Sequence, residues 1–447
     1  MIEIDEISSE EAASRGATAF TLDGGASRSP WDRWSYRMGP ALRILQCDSR
    51  TSITTLRSAD GEERHWADPL EALAWLGEQI TEPPQSGPPF KGGWIGYLSY
   101  DLGRLFEVLP NRCIDDLHLP LFTFTFHDRA IATDHLNQVC YDCRHGNGKT
   151  HKPINFTPTY GISTRSPISD FTQPAYESAV RRAIDYIAAG DIFQVNLAQR
   201  FVAGLPDSPA RLYEELRTRF PAWFGAFLDY GDHALLCNSP ELFLRVTPEG
   251  GHRNVLTRPI KGTRPRGPGL DAQLRQSAKD QAELNMIIDL ERNDLGRVCE
   301  IGGVKVTQPR TIEAHPTVFH GAATIEGTLR PDVTFVDLLR ATFPGGSVTG
   351  APKIRAMEII EELEPVRRGP YCGAIGYLSA DGNMQFNLAI RTIIARRDRA
   401  YISVGGGIVA DSAPAAEYEE TIVKAKAMMQ ALACRKMTND ETRNPNQ

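Results

Sequence analysis

The sequence predicts an α+β fold, in which groups of strands and long helices occupy separate stretches of the chain. Apolar residues at every second position indicate strands, as in residues 121–126, Leu-Phe-Thr-Phe-Thr-Phe. Other stretches have a helical period, and Val180, Ile184 and Ile187 lie on one such apolar face. Because the strand groups and helices do not alternate regularly, a doubly wound parallel sheet is disfavoured.

Composition and charge are ordinary for a globular protein. The chain has 447 residues, of which 41% are hydrophobic and 23% charged, and its formal net charge is −7. This acidic balance argues against a nucleic-acid-binding protein, and no apolar run reaches the length of a membrane span. The cysteines are scattered and the first residues lack the basic start of a secretory signal, so we expect reduced thiols and a cytoplasmic location.

Residues 1–165 are predicted to form a strand-rich N-terminal region. Residues 52–56 and 121–126 alternate in polarity, and Asp68 is placed to cap a helix over residues 69–80. The closely spaced glycines of Gly92-Gly-Trp-Ile-Gly-Tyr-Leu-Ser-Tyr-Asp101 predict a strand that another backbone approaches closely. The polar stretch 145–169 is interpreted as a linker or a long hairpin.

Cys140, Cys143 and His145 are spaced as in some zinc sites, but no second pair of cysteines follows them. A structural zinc site needs about four ligands. We therefore interpret the two cysteines as free thiols in a polar loop.

Residues 166–434 carry the longer helices and a second set of strands. The apolar periods predict helices over residues 176–189, 212–220, 271–298, 335–341, 353–363 and 415–433. They predict strands over residues 192–200, 224–229, 235–237, 373–379, 386–394 and 401–409, with Asp381-Gly382 as a hairpin turn. The polar tail 435–447 is expected to be disordered.

The basic stretch 257–266, Thr-Arg-Pro-Ile-Lys-Gly-Thr-Arg-Pro-Arg, contains a candidate nucleophile. Its prolines and glycine predict a strand end that runs into a tight turn. If Arg258, Arg264 and Arg266 stay close to Lys261 in space, they should lower the pKa of its amine and free it to act as a nucleophile. The alternative is an ordinary solvated turn.

Three glutamates are candidate metal ligands. Glu417 and Glu420 share one face of a predicted helix, with Lys424 one turn later, and Glu283 lies on another helix. Carboxylates from two helices suit Mg²⁺, which needs only a few protein oxygens. The alternative is that Glu417 and Glu420 form a solvated face with Lys424.

Arg391 and a triplet of glycines are candidate anion-binding groups. Arg391 stands in the otherwise apolar predicted strand 386–394, and a buried arginine needs an anionic partner. The backbone N–H groups of Gly405–Gly407 could form a nest for a second carboxylate. Together these residues indicate a dicarboxylate substrate, a magnesium ion and a positively charged pocket.

A series of motifs runs through residues 175–430. They are Gln194-Val-Asn-Leu-Ala-Gln-Arg200, Ser239-Pro-Glu241, Arg258-Pro-Ile-Lys-Gly-Thr263, Ala282-Glu-Leu-Asn-Met-Ile-Ile-Asp-Leu-Glu-Arg-Asn-Asp294, Gly350-Ala-Pro-Lys353, Ala389-Ile-Arg-Thr392, Gly405-Gly-Gly-Ile-Val-Ala-Asp411 and Glu417-x-x-Glu-Thr-x-x-Lys424. The set resembles the chorismate-utilising enzymes, which include component I of anthranilate synthase and of aminodeoxychorismate synthase, and isochorismate and salicylate synthases. Residues 92–101 also resemble the first two members. The resemblance implies large antiparallel sheets packed as a sandwich with helices outside, and residues 166–434 as the chorismate-binding catalytic domain.

Two positions distinguish the members of this family. Isochorismate and salicylate synthases have a lysine that activates water where this chain has Gln194, and anthranilate synthases have an alanine where it has Lys261. The pattern resembles component I of aminodeoxychorismate synthase, which aminates chorismate at C4 for 4-aminobenzoate and folate biosynthesis. The resemblance implies that Lys261 is the nucleophile, which attacks ring carbon C2, and that Glu241 is the general acid.

The same resemblance implies roles for the other candidate residues. Mg²⁺ would be held by Glu420 with Glu283 and Glu417. The substrate-binding residues implied are Arg391 and Tyr401 at the pyruvyl carboxylate, Gly406, Gly407 and Lys424 at the ring carboxylate, and His320, Thr263 and Gln194 in the rest of the pocket. The family's tryptophan pocket is also implied, but Gly24 and Trp223 depart from its usual residues.

No segment of the sequence resembles a glutaminase. We therefore expect ammonia to come from solution or from a glutamine amidotransferase subunit, component II, in a heterodimer. Anthranilate synthase component I is the alternative within the family. A noncatalytic scaffold for an amidotransferase is a further alternative. The chain retains the candidate site residues Glu241, Arg391 and Glu420, which argues against this alternative.

Overall fold

Two large sheets form the frame of the computed structural model, which describes residues 2–14, 18–25, 29–146 and 153–433. The N-terminal strands are β1 (Ile2–Ile7), β2 (Phe20–Asp23), β3 (Trp34–Met38), β4 (Arg43–Cys47), β5 (Thr54–Ser58), β6 (Glu63–Trp66), β7 (Gly93–Leu98), β8 (Phe122–His127), β9 (Arg129–Asp134) and β10 (Val139–His145). The N-terminal helices are α1 (Ser9–Ser14), α2 (Pro69–Gly77) and the 3₁₀ turn Tyr100–Leu105. As predicted, Asp68 caps α2 by accepting a hydrogen bond from Leu70 N.

The rest of the chain supplies the remaining elements. Its strands are β11 (Ile168–Ser169), β12 (Gln194–Gly204), β13 (Phe224–Asp229), β14 (His233–Ser239), β15 (Leu242–Glu249), β16 (His252–Arg258), β17 (Ile260–Pro265), β18 (Lys305–Ala314), β19 (Val318–Leu329), β20 (Gly350–Ala351), β21 (Ala374–Ser379), β22 (Met384–Leu388), β23 (Thr392–Arg396) and β24 (Arg399–Ile408). Its helices are α3 (Gln173–Ala188), α4 (Pro209–Arg219), α5 (Leu270–Gln276), α6 (Ala278–Gly296), α7 (Phe335–Thr342), α8 (Lys353–Leu363), α9 (Pro414–Ala433) and the 3₁₀ turn Gly346–Val348.

Each sheet has 12 strands, and both mix strands from the two predicted regions. Sheet 1 runs β1-β10-β9-β3-β2-β13-β14-β23-β24-β12-β11, with β20 beside β12. Sheet 2 runs β17-β19-β16-β15-β22-β21-β7-β8-β4-β5-β6, with β18 beside β19. Neighbours run antiparallel, as β12 and β24 do. The boundary near residue 165 stays a prediction, but no sheet belongs to one region alone among the described strands. The predicted tail 435–447 lies outside the described residues.

The sheets face each other, and helices cover their outer faces, as predicted. Between the sheets, Tyr36 and Leu228 of sheet 1 pack with Ile95 and Tyr377 of sheet 2. The outer face of sheet 2 packs against α2, α6 and α7, and that of sheet 1 against α4 and α9. None of the described helices is both long and apolar enough to cross a membrane.

Three sequence predictions were wrong in ways that matter for the site. The predicted helix 271–298 is interrupted at Ser277, which ends α5 and whose side chain caps α6. The predicted strand 386–394 is two strands, β22 in sheet 2 and β23 in sheet 1. In the stretch 257–266 the predicted strand end is confirmed, because β16 ends at Arg258, but β17 follows after Pro259 in place of the predicted tight turn.

The two cysteines of the zinc-like spacing lie in a strand. Cys140 and Cys143 are buried free thiols of β10. The prediction of free thiols is confirmed, and the prediction of a polar loop was wrong. The stretch after β10 does not form a hairpin among the described residues 153–167. It is irregular chain held by backbone hydrogen bonds such as Thr159 N to Gly231 O, 2.9 Å.

Candidate active site

Lys261 and Glu241 meet at one residue, Ser347. The Lys261 amine donates to Ser347 O at 3.3 Å, and the Ser347 hydroxyl donates to Glu241 Oε1 at 2.6 Å. Ser347 lies in the 3₁₀ turn Gly346–Val348, between α7 and α8. The predicted nucleophile and the predicted acid are therefore held by the two polar groups of a single residue.

A β-bulge presents Lys261. Ile260 pairs with Ala322 and Thr263 with His320, so Lys261 and Gly262 together oppose Gly321. Gly262 has φ +81°, and a Cβ on Gly321 would lie 2.7 Å from Lys261 O. These glycines allow the extra residue of the bulge and the close approach of β19.

Burial lowers the pKa of Lys261 below its ordinary value, Glu283 and Glu241 oppose this effect, and Lys424 adds to it. The predicted cause, crowding by three arginines, was wrong. Arg258 pairs with Glu313 and lies over the Trp31 ring.

The other two arginines also have partners of their own. Arg264 binds Asp280 at 2.8 Å, and the Arg266 guanidinium lies over the Phe319 ring, 4.5 Å from its centroid. The pKa of Lys261 is thus shifted in the predicted direction for a different reason.

Glu241 is buried, with 5% of its surface exposed. Its Oε1 accepts from Ser347 and, at 3.3 Å, from Ile260 N. Burial raises the pKa of Glu241 above its ordinary value, although Ser347, Lys261, Ile260 N and Arg391 oppose the rise. A carboxyl group with a raised pKa is suited to donate a proton to a leaving group.

Arg391 lies where the chain passes from sheet 2 to sheet 1, not inside a strand. It has φ +50°, and its carbonyl accepts from Asn238 N at 3.1 Å. Burial lowers the pKa of Arg391, opposed by Glu241. No acceptor among the described residues bonds its guanidinium, which therefore remains available for an anionic ligand.

The predicted glycine triplet lies in β24 in extended conformation, paired with β12, so it forms no nest. A Cβ on Gly406 would lie 3.3 Å from Glu417 Oε2 and 3.5 Å from Glu420 Oε1. A Cβ on Gly407 would lie 2.9 Å from Gln194 Nε2. The glycines are needed because α9 and the Gln194 side chain approach the strand closely.

Gln194 is fully buried, and both polar atoms of its amide lack a hydrogen-bond partner among the described residues. Buried amides of this kind are normally satisfied. Gln194 therefore offers a donor and an acceptor beside Gly407, consistent with its predicted place in the substrate pocket.

Two of the three predicted metal ligands, Glu417 and Glu420, lie beside Gly406 of β24, and the third, Glu283 on α6, interacts electrostatically with Glu420. Glu417 is buried and accepts from the Ser412 hydroxyl at 2.7 Å, whereas Glu420 pairs with Lys424 at 2.7 Å. Lys424 also donates to Gly405 O at 2.7 Å. The helix face is thus directed at the glycines, and the predicted Glu420–Lys424 pair exists within it.

Burial raises the pKa of both Glu283 and Glu417, and the carboxylate of Glu420 adds to each shift. A divalent cation would relieve this crowding, and carboxylate oxygens are the donors that Mg²⁺ prefers. The donor set fits Mg²⁺ in its chemistry. No group of three or more His, Cys, Asp or Glu side chains in the described chain is already arranged to hold a metal.

Thr263 and His320 form a pair next to the bulge. The Thr263 hydroxyl and His320 Nδ1 are 2.9 Å apart. Burial, Arg391 and His315 lower the pKa of His320 well below its usual range, so it is neutral. Its Nε2 has no partner within the described chain and can face a ligand.

Tyr401 is not brought to this cluster. Its ring lies under Arg200, with the guanidinium 5.4 Å from the ring centroid, and packs with the residues between the sheets. Six residues of extended strand, about 20 Å, separate it from Gly407. Its predicted contact with the pyruvyl carboxylate, beside Arg391, stays a prediction.

Ser347 and a buried ion pair that fixes its turn were not predicted from the sequence. Arg368 bonds Glu364 at 2.6 Å and also donates to Val348 O and Asn196 O. Ser347 directly follows Pro344-Gly345-Gly346, and this run of turn residues is the signal that could have marked it. No local signal marks the role of Arg368.

Trp223 and Gly24 lie near a separate cavity between the sheets. Trp223 lines this cavity of about 250 Å³ together with Trp31 and Arg245. Gly24 N donates to the Ser35 hydroxyl at 2.9 Å, and a Cβ on Gly24 would lie 2.2 Å from Asp32 O. These are the positions at which the chain departs from the implied tryptophan pocket.

Comparison with known proteins identifies the family of the chain. Residues 32–430 match the chorismate binding enzymes. The chain is 40% identical over 429 residues to aminodeoxychorismate synthase component 1 of Salmonella typhimurium, covering 93% of each chain. It is 41% identical over 398 residues to anthranilate synthase component 1 of Thermus thermophilus, covering 84% of this chain and 85% of the relative.

The fold is also that of a solved relative. The crystal structure of anthranilate synthase component I from Streptococcus pneumoniae superimposes with a TM-score of 0.76 at 32% identity. The match covers 89% of this chain and 92% of that one. With a family match over most of its length and relatives near 40% identity, the chain belongs to the chorismate binding enzyme family.

Proposed function

We propose that this chain is component I of an aminodeoxychorismate synthase, which aminates chorismate at C4. The observation that carries the proposal is the amine of Lys261, placed by the bulge and bonded to Ser347 O at 3.3 Å, beside the general acid Glu241. The name of the Salmonella relative supports the same activity.

The proposed reaction has two displacements. Neutral Lys261 attacks ring carbon C2, the double bonds shift, and the C4–O bond breaks as Glu241 donates its proton and water leaves. Ammonia then bonds to C4, the double bonds shift back, and the C2–N bond to Lys261 breaks. The amine proton released in the second step returns to Glu241. The sum is chorismate plus ammonia giving 4-amino-4-deoxychorismate plus water, and the covalent intermediate divides one hard displacement into two easier ones.

The charged groups around the pocket suit a dianionic substrate. Arg391 would bind the pyruvyl carboxylate, since its guanidinium lacks a protein acceptor among the described residues. Lys424 and the β24 backbone at Gly406 and Gly407 would surround the ring carboxylate, and Thr263, His320 and Gln194 would complete the pocket. Mg²⁺, held by Glu420 with Glu283 and Glu417, would supply positive charge that binds the ring carboxylate.

Ammonia is proposed to come from a glutamine amidotransferase partner. The relatives are described as component 1, which implies a second component. We expect the isolated chain to use ammonium with chorismate and Mg²⁺, and to use glutamine only after the amidotransferase is added. Glutamine-dependent turnover by the pure chain would contradict this part of the proposal.

Anthranilate synthase component I is the second candidate, because a relative of that name is as similar as the aminodeoxychorismate synthases. The two candidates differ in product from the same reactants. Mass analysis of the product from chorismate, Mg²⁺ and ammonium distinguishes 4-amino-4-deoxychorismate from anthranilate and pyruvate. Anthranilate as the main product would overturn the proposal.

Lys261→Ala tests the covalent route directly. Removal of a covalent nucleophile commonly costs orders of magnitude in rate, so the 4-amino product should fall steeply while any 2-amino product rises. A mass adduct trapped on the peptide that contains Lys261 would support the route. Lys305→Ala, at an exposed position of β18, is the matched control. Wild-type output of aminodeoxychorismate from Lys261→Ala would show that the lysine is not the nucleophile.

A further inference from the structure

Ser347 makes one hydrogen bond with the candidate nucleophile and another with the candidate acid. Its hydroxyl is 2.6 Å from Glu241 Oε1, and its carbonyl oxygen is 3.3 Å from the Lys261 amine. Both contacts lie inside the protein, since Ser347 and Glu241 are 4% and 5% exposed. A short hydrogen bond in such surroundings restricts the carboxyl group strongly.

The two oxygens of Glu241 are in different environments. Oε1 accepts two hydrogen bonds, from the Ser347 hydroxyl and from Ile260 N at 3.3 Å. No donor among the described residues contacts Oε2. A protonated carboxyl group keeps its hydrogen on the oxygen that does not already accept donors. Oε2 is therefore the oxygen that carries the proton.

The turn that carries Ser347 is fixed independently of Glu241. The Thr349 hydroxyl donates to Gly345 O at 2.9 Å, closing the turn. Arg368 donates to Val348 O at 2.9 Å from a buried ion pair with Glu364. The hydroxyl group is thus placed before any substrate arrives, as preorganised catalysis requires.

We propose that Ser347 is a positioning residue, which holds Oε1 of Glu241 so that Oε2 presents its proton to the departing hydroxyl group of the substrate. The inference rests on the proposed function only in requiring that chorismate lose its C4 hydroxyl group. The carbonyl oxygen of the same residue accepts from the Lys261 amine. One turn therefore fixes the position of the nucleophile relative to the acid.

Ser347→Ala removes the hydroxyl group and leaves the carbonyl in place. Misplacing a catalytic group by about 1 Å can cost roughly 100-fold, so kcat should fall by about 10- to 100-fold with a smaller change in KM. In the wild type, the hydrogen bond from the Ser347 hydroxyl lowers the pKa of Glu241. The pKa should therefore rise in the variant, and the decline of kcat at high pH should move to higher pH.

Other groups also act on Glu241 and stay unchanged in this comparison. They are Lys261 on β17, Arg391 before β23, Glu291 on α6 and Cys372 before β21. Ser347→Thr keeps a hydroxyl group and should restore both the rate and the pH profile. Ser379→Ala is the control, because Ser379 is equally buried and its hydroxyl accepts from Lys91 N at 3.4 Å, away from the pocket.

A second measurement does not depend on the reaction. Difference infrared spectroscopy, with Glu241→Gln as the reference, follows the protonated carboxyl band of Glu241 against pH. A titration at higher pH in Ser347→Ala than in the wild type and in Ser379→Ala supports the proposal. An unchanged titration, or an unchanged kcat in a folded Ser347→Ala, overturns it. A product other than the 4-amino compound would contradict the proposed function but not the role of Ser347, because the titration of Glu241 tests that role separately.

Discussion

Replacing Arg368 with methionine should destabilise the protein by about 3–5 kcal/mol, because it leaves a buried carboxylate without its partner. The side chains of Arg368 and Glu364 are only 2% and 4% exposed, and the guanidinium bonds both carboxylate oxygens, at 2.9 and 2.6 Å. The variant also loses the hydrogen bonds from Arg368 to Val348 O and Asn196 O. Methionine can fill most of the volume but replaces none of these bonds.

The expected shift in melting temperature follows from the length of the chain. At about 2.1 cal/mol/K per residue, 447 residues give an unfolding entropy of about 0.9 kcal/mol/K. A loss of 3–5 kcal/mol then lowers Tm by roughly 3–5 °C. The assay is thermal and urea unfolding followed by circular dichroism, together with kcat, which should also fall because the turn carrying Ser347 loses its anchor.

Two companion variants make this result interpretable. Arg181→Met removes an exposed i,i+4 partner of Glu177, with 60% of the arginine side chain exposed, and should cost less than about 1 kcal/mol. The double variant Glu364→Leu with Arg368→Met should recover part of the loss, because no buried charge remains unpaired. If Arg368→Met unfolds like the wild type and like Arg181→Met, the ion pair does not hold the turn and the reasoning is refuted.

Three further outcomes are expected. Removing divalent metal with a chelator should abolish chorismate turnover, and Glu420→Gln should require far more Mg²⁺; full activity in excess chelator would show that Glu417 and Glu420 are only a charged helix face. Gly407→Ala should raise KM for chorismate, since its Cβ would lie 2.9 Å from Gln194 Nε2, whereas Gly296→Ala meets nothing within 4 Å and should behave as the wild type in steady-state kinetics. Burial lowers the pKa of His127 to about 4. Between about pH 6.5 and pH 4 only the unfolded chain gains a proton at this residue, so the free energy of unfolding should be full above pH 6.5 and about 2 kcal/mol lower at pH 5. Urea unfolding of His127→Gln should show a weaker decline over the same range.

Local patterns were enough to predict the fold class and most of the helices, but fewer than half of the described strands. Helix α8 begins and ends where the period predicts, and α2 begins at the predicted cap, because a helix depends on residues within one or two turns of one another. The break at Ser277 was missed because the residues on both sides are helix formers and the cap acts through its side chain. The passage from β22 to β23 was missed because both strands are apolar, and only packing decides which sheet each one joins.

Lys261 and Arg391 became candidates through residue type and position, and Glu241 through the resemblance of the motifs, but their interactions could not be predicted. Glu241, Lys261 and Arg391 come from three separate parts of the chain, and the residue that joins the first two is a serine in a glycine turn. A serine carries no distinctive signal in such a sequence, since turns use serine for local hydrogen bonds everywhere. Tyr401 was placed by the resemblance alone, and its ring packs between the sheets, under Arg200; its role at the substrate stays a prediction.

The pKa of Lys261 shows why the cause of a shift matters as well as its direction. Three arginines near a lysine in sequence would act through charge, and salt screens charges separated by more than about 8 Å at physiological ionic strength. In the structure each arginine has its own partner, and burial is the largest cause of the shift. Loss of hydration is not screened by salt. Burial therefore lowers the pKa of the Lys261 amine more than any neighbouring charge does, and we expect substitutions at Gly262 and Gly321, which shape the bulge, to change this pKa more than substitutions of the flanking arginines.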